Sequence, residues 1–153
     1  FLYLIAILRK PKILYGVDII DTNLDAVKIV FNNVRYKRIS TFFDWPENKF
    51  DVVTVIDVLH HIKSEEQKLF LKKAINKINP CGMLIIKDMD TRPIFCACMN
   101  ILHDLIFSKQ LIKYFPFEEL KNIIEENGFE IQEVNSKIIF WYSHKWIIAK
   151  KNN

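Results

Sequence analysis

The sequence predicts an α/β fold in which a mostly parallel sheet carries helices on its faces and ends in an antiparallel strand pair. Apolar, strand-like segments alternate with amphipathic helical ones, most clearly over residues 50–88, where FDVVTVIDVLHH and NPCGMLIIKD flank a polar helix. Near the end, segments 129–134 and 138–149 are joined by a short turn and must therefore run antiparallel. The chain has 153 residues, 50% of them hydrophobic and 26% charged, which predicts one globular domain over residues 1–153.

The individual elements follow from hydrophobic periodicity and from breaker residues. DVVTVI is nearly all β-branched, which is typical of a strand buried on both faces of a parallel sheet. Ser64 and Gln67 form a capping-box pattern at the start of a helix, and Gly128 is placed as a helix C-terminal glycine. We predict helices at residues 1–10, 22–32, 64–78, 94–114 and 117–127, and strands at 13–18, 38–43, 51–56, 83–88, 129–134 and 138–149.

The composition of the chain argues against a nucleic-acid partner, a disulfide framework and membrane insertion. The net charge of +4 comes from scattered lysines, not from a basic stripe, so no nucleic acid is expected as a partner. The three cysteines lack the paired spacing of a metal site or a disulfide framework, which favours a reducing, cytoplasmic compartment. Residues 1–8 are too few to span a bilayer, and polar residues interrupt 94–107, so no membrane insertion is expected.

Two aspartates stand where predicted strands end. Asp18 closes the strand at 13–18, and Asp57 follows the strand at 51–56. Ligands of open α/β sheets bind at the carboxyl ends of the strands, where a carboxylate can accept hydrogen bonds from both hydroxyls of a ribose. The alternative for Asp18 is that it only caps the next turn.

Histidines follow the second of these aspartates. His60 and His61 could line a cofactor and acceptor pocket, where a group that titrates near neutrality can act as a base. Two alternatives are a metal site with Asp57, for which no further ligand has suitable spacing, and a histidine that only hydrogen-bonds the loop backbone. We therefore predict no metal.

Taken together, these segments resemble class I S-adenosylmethionine-dependent methyltransferases. YGVDIIDTNLDAV is similar to the second strand of that family with its acidic ribose ligand, and FDVVTVIDVLHHI to the fourth strand with its loop. INPCGMLIIKD is similar to the glycine turn and fifth strand, with Cys81 in place of the first glycine. GFEIQEV through WYSHKWIIAKK resembles the terminal antiparallel pair. The resemblance implies a three-layer, Rossmann-like sheet and S-adenosyl-L-methionine as cofactor.

The resemblance also implies residue roles. Asp18 would bind the ribose hydroxyls, and Ile19 would pack on the adenine. The adenine amino group would be met near Phe43 or Asp44, and the exposed side of the cofactor would be lined by Asp57, Val58 and His61. Catalysis would rest on positioning for in-line displacement onto a small-molecule acceptor, with residues 91–114 covering its pocket. His60, His61 and His103 are candidates for taking a proton from the acceptor.

The chain lacks one major part of the family's sequence pattern. The first strand and its glycine-rich loop are missing, and the chain starts at Phe1, in what resembles the helix after that loop. This predicts an N-terminally truncated protein with weak or no cofactor binding in the form given. Two other functions stay open: a degenerate methyltransferase-like module that only binds a partner, and an NAD-dependent dehydrogenase, against which the terminal antiparallel pair argues.

Overall fold

The computed structural model describes residues 9, 11–18, 34–38, 45–107, 113–140 and 142–153. The chain divides into two compact units, residues 1–47 and 48–153, and each is considered by itself. Apart from the helical Arg9, the helices predicted at 1–10 and 22–32 lie outside the described residues. The single domain over residues 1–153 stays a prediction.

The first unit contains a parallel strand pair. Strand β1, Leu14–Asp18, confirms the strand predicted at 13–18, and it pairs with β2, Val34–Arg38. The second strand therefore starts four residues before its predicted start at Arg38. Its sequence VRYKR interleaves basic residues with apolar ones and lacks the apolar run that marks a strand locally, whereas the pairing with β1 establishes it.

The second unit is built on a four-stranded mixed sheet. Its strands are β3 Phe50–Ile56, β4 Ile78–Met89, β5 Phe129–Ile139 and β6 Tyr142–Lys151, in the order β3-β4-β6-β5. β3 runs parallel to β4, whereas β6 is antiparallel to both β4 and β5. The predicted combination of parallel strands with a terminal antiparallel pair is thereby confirmed.

Three helices accompany this sheet: α1 Ser64–Asn76, α2 Ile94–Phe107 and α3 Phe117–Glu126. Residues of α1 and α3 are buried together with the sheet residues Leu84, Ile86 and Ile147. From the helices, Leu71, Ile75 and Ile124 are almost fully enclosed. Gly128 follows α3 with a φ of 78° and donates to the Glu125 carbonyl at 3.0 Å, which confirms it as the C-terminal glycine.

Three local predictions are wrong. The capping box does not form, because Lys63 is the N-cap and Gln67 turns its side chain elsewhere. The turn predicted at Asn135 and Ser136 lies inside β5, whose chain reverses after Ile139. Strand β3 is not buried on both faces, since Val52 is 48% exposed. In each case long-range pairing overrides the local pattern.

Gly82 lies inside β4, beside the irregularity in the pairing of β4 with β3. A Cβ atom there would lie 2.7 Å from Ile78 Cγ2 and 2.9 Å from the carbonyl oxygens of Asn79 and Asp51. Since two of these atoms are backbone, we expect Gly82→Ala to lower the free energy of unfolding by about 3 kcal/mol. Gly128→Ala meets no atom within 4 Å and should cost only about 1 kcal/mol for its left-handed backbone. Urea denaturation of the two variants tests the difference, and equal losses would contradict it.

Candidate functional site

Asp57 follows the carboxyl end of strand β3 and has an unusual backbone conformation. The residue has a φ of 52°, a left-handed backbone that aspartate tolerates better than most residues. Its N–H donates to the Lys87 carbonyl at 2.8 Å, which continues the β3–β4 pairing past the last strand residue. The chain therefore turns sharply here while staying attached to the sheet.

Only one oxygen of the Asp57 carboxylate has a hydrogen-bond partner among the described residues. Lys87 Nζ donates to Oδ2 at 2.5 Å, in an ion pair that is partly exposed. Oδ1 is buried and has no hydrogen-bond partner among the described residues. A buried acceptor without a donor is costly, so this oxygen suits a ligand that brings an N–H or O–H group.

The next turn, Leu59–His61, is held by Asp88 near the end of β4. Asp88 Oδ2 accepts the Leu59 N–H at 2.8 Å, and Oδ1 contacts His60 Nδ1 and accepts the Met89 N–H at 2.7 Å. One carboxylate on β4 thus fixes the loop that follows β3. Asp88 has the same strand-end placement as Asp18 and Asp57, but no local motif indicates that it holds this loop.

Gln67 supports the same turn from helix α1. Its Nε2 donates to the Leu59 carbonyl at 2.9 Å and to the Lys113 carbonyl at 2.7 Å, and the side chain is buried. The Lys113 N–H in turn donates to the His60 carbonyl at 3.1 Å. The turn is therefore fastened both to the helix behind it and to the segment that leads into α3.

The two predicted catalytic histidines have different surroundings. His60 is 2% exposed and hydrogen-bonded to Asp88, whereas His61 is exposed with its ring centroid 4.1 Å from that of His60. Val58 is half-buried and precedes the turn. Asp57, Val58, His60 and His61 are thus brought together. The described residues contain no cluster of three or more potential metal ligands.

The other predicted site residues belong to the first unit. Asp18 ends β1 opposite Arg38, so its predicted position at a strand end is confirmed for the backbone. Ile19, Phe43 and Asp44 lie outside the described residues. Their roles in cofactor binding stay predictions.

Sequence reasoning missed His144 on β6, which lies opposite Met89 in the sheet. Its Nδ1 is buried and has no hydrogen-bond partner in the described part of the chain. Burial lowers the pKa of His144, and the Lys87 ammonium and His60 lower it further, against the opposing effect of the Asp57 and Asp88 carboxylates. No local motif marks this residue, because only the antiparallel register carries it to the strand-end cluster.

We expect an NMR titration to find the His144 ring neutral at a pH where an exposed histidine is already charged. Because its pKa is depressed by folding, its contribution to stability is present above the unfolded pKa and is lost as the pH falls through the folded pKa. Lys87→Gln should raise the pKa of His144, since it removes a nearby positive charge. Lys72→Gln, on the exposed side of α1, serves as the control, and an equal shift in both variants would contradict the assignment.

His103 also finds a partner that the sequence did not indicate. Its Nδ1 lies 3.1 Å from the Tyr142 hydroxyl, and the Tyr142 ring stacks on His144 with centroids 6.0 Å apart. This contact ties helix α2 to the start of β6, close to the strand-end cluster. The candidate site thus combines polar side chains from the end of β3, the end of β4, the start of β6 and α2.

Comparison with known proteins identifies the protein family to which the chain belongs. A family model described as a methyltransferase domain matches residues 4–134. No curated protein matches the chain.

Solved structures share the fold at low sequence identity. Magnesium protoporphyrin IX methyltransferase from Synechocystis PCC 6803, with bound SAH (S-adenosylhomocysteine), superposes with a TM-score of 0.74 at 17% identity over 97% of this chain and 68% of its own. An O-methyltransferase family protein from Burkholderia thailandensis gives 0.69 at 18% identity, over 99% of this chain and 48% of its own. The N-methyltransferase NodS from Bradyrhizobium japonicum WM9, in complex with SAH, superposes with a TM-score of 0.69 at 11% identity, over 93% of this chain and 68% of its own.

The family model covers most of the sequence, and the mixed sheet is that of solved methyltransferases. The chain thus spans between about half and two thirds of the length of these enzymes. The Rossmann-like methyltransferase fold expected from the resemblance is confirmed. The chain belongs to the methyltransferase-domain family, whose cofactor is S-adenosyl-L-methionine.

Proposed function

We propose that the protein transfers a methyl group from S-adenosyl-L-methionine to a small-molecule acceptor, and that it does so by positioning the two for in-line displacement. The observation that carries this proposal is the buried, unsatisfied Oδ1 of Asp57 at the carboxyl end of β3. The cofactor offers ribose hydroxyls and an ammonium group, which are donors of the kind that this oxygen lacks. The buried acceptor of Asp57 therefore fits the donors that the cofactor offers.

The residues proposed to hold the cofactor keep the roles that the resemblance implies. Asp18 binds the ribose hydroxyls, Ile19 packs on the adenine, and Phe43 or Asp44 meets the adenine amino group. Asp57, Val58 and His61 line the exposed side. The support for the last three is their shared loop, which Asp88 and Gln67 fasten to the sheet and to α1.

The loop that follows β3 supports a mechanism in which the protein accelerates methyl transfer by positioning the reactants. When bound, the cofactor supplies a methyl group on a positively charged sulfur. The hydrogen bonds that hold this loop would keep the groups that bind cofactor and acceptor in one geometry, which can supply much of the rate enhancement in a displacement reaction. Of the two histidines proposed to take the acceptor proton, His61 is exposed, whereas His60 is held by Asp88 and is better suited to orient the loop.

Calorimetry tests the proposal. The protein as translated from its natural start codon should bind SAH, and NAD should not compete. Tight binding of NAD without binding of SAH would overturn the proposal in favour of a dehydrogenase. Binding of neither ligand would overturn it in favour of a module that lacks methyltransferase activity.

A further inference from the structure

Helix α2 exposes its apolar side. Ile94, Phe95, Leu102, Leu105 and Ile106 are between 49% and 76% exposed. At one residue per 100°, these positions and the exposed Cys98 fall within a single arc of about 120°. An exposed helix face normally carries charged residues, yet this arc contains none.

The tip of the β5–β6 hairpin extends this surface. Ile138, Ile139 and Phe140 are 52%, 46% and 87% exposed. The hairpin starts β6 at Tyr142, whose hydroxyl meets His103 of α2 at 3.1 Å. We define the apolar face as these three hairpin residues together with the exposed arc of α2. Successive strand residues point to opposite sides, so Ile138 and Ile139 lie on the two sides of the hairpin tip. The eight large apolar side chains of α2 and this tip together exceed what a monomer usually leaves in water.

Basic residues flank the elements of the apolar face along the chain. Arg92 precedes α2, Lys137 precedes the apolar hairpin tip, and Lys113 lies between α2 and α3; all three are exposed. None of them has an ion-pair partner within the described ranges. The nearby carboxylates are occupied, since Asp90 binds Lys145 at 2.7 Å and Asp88 binds His60.

We propose that the apolar face lies on the surface of an anionic lipid bilayer, with the hairpin tip and α2 inserted at the level of the head groups. An apolar helix side flanked by basic residues binds membranes in this interfacial way. No helix among the described residues is long and apolar enough to cross a bilayer.

The cations favour lipid over a second copy of the chain. A symmetric dimer built on the apolar face would bring the same basic residues of both copies close together, and like charges at an interface oppose association. An anionic lipid surface instead attracts each of these cations.

Vesicle flotation tests the inference without any cofactor, so its outcome is independent of the proposed function. The full natural chain should bind vesicles of phosphatidylcholine that contain about one third phosphatidylglycerol, and bind phosphatidylcholine alone at least about tenfold more weakly. The double variant Phe95→Ser/Phe140→Ser should bind anionic vesicles at least about tenfold more weakly. Arg92→Gln/Lys137→Gln should lose about as much, and only on anionic vesicles.

The matched control is Leu69→Ser, because Leu69 is 44% exposed but lies on α1, outside the apolar face. This variant should bind like the unmodified protein. Failure of the unmodified protein to bind either vesicle overturns the inference, as does undiminished binding of the double phenylalanine variant. A dimer in sedimentation analysis that Phe140→Ser dissociates, together with absent vesicle binding, would assign the face to a second copy.

Discussion

Replacement of Asp57 by asparagine is expected to weaken the binding of SAH at least about tenfold and to change the free energy of unfolding by less than about 1 kcal/mol. Asparagine tolerates the left-handed backbone that residue 57 adopts, and its amide oxygen can still accept from Lys87 Nζ. The free energy of unfolding should therefore change little. The variant lacks the charge that strengthens a hydrogen bond from a cationic or hydroxyl donor of the ligand.

The control lies on the same strand. Asp51, at the other end of β3, is exposed and binds only the Asn79 side chain at 2.9 Å. Asp51→Asn removes the same charge from the same strand and should leave SAH affinity unchanged. Calorimetric titration of both variants, made in the protein as naturally translated, gives the comparison. Equal affinities for SAH in the two variants would argue against a role of Asp57 in cofactor binding.

The elements that local chemistry determines could be read from the sequence. The β-branched run before Asp57 forms a strand, and Gly128 ends a helix because only its left-handed conformation satisfies the last carbonyls there. Asp57 was found for the same reason, since a polar residue directly after an apolar strand must emerge at the strand end. These predictions need only the residues within a few positions.

The remaining features depend on residues far apart in the chain. Gln67 has the spacing of a capping box, yet it bonds to Leu59 and to Lys113, which is 46 positions away. Asn135 has the composition of a turn residue, but pairing with Trp146 keeps it inside a strand. Local propensity amounts to less than about 1 kcal/mol per residue, so several ladder hydrogen bonds or a buried amide outweigh it.

The polar cluster of the site illustrates the same limit. His144 approaches Lys87 and Asp57 only because β6 runs antiparallel to β4 with Met89 opposite His144. A slip of one residue in this register would turn the imidazole to the other face of the sheet. Its lowered pKa is thus a property of the strand pairing and not of any sequence motif.

A loss of stability as large as that of Gly82→Ala is expected from Asp88→Ala. The substitution leaves the Leu59 N–H and the Nδ1 of His60 without their acceptor, and both groups lie in residues that are at most 2% exposed. Leaving one donor and one ionisable ring unsatisfied in the interior should lower the free energy of unfolding by about 3 kcal/mol. Asp88→Asn keeps one acceptor oxygen and should lose about half of that.

Two measurements separate this role from a general loss of packing. Asp51→Ala, an exposed carboxylate with a single side-chain hydrogen bond, should cost less than about 1 kcal/mol in urea denaturation. Hydrogen exchange at the Leu59 amide should accelerate in Asp88→Ala far more than at Ile86, inside β4. If the Leu59 amide stayed protected, another group would have to hold the turn. Loss of its protection would show that one carboxylate on β4 orders the loop proposed to line the cofactor.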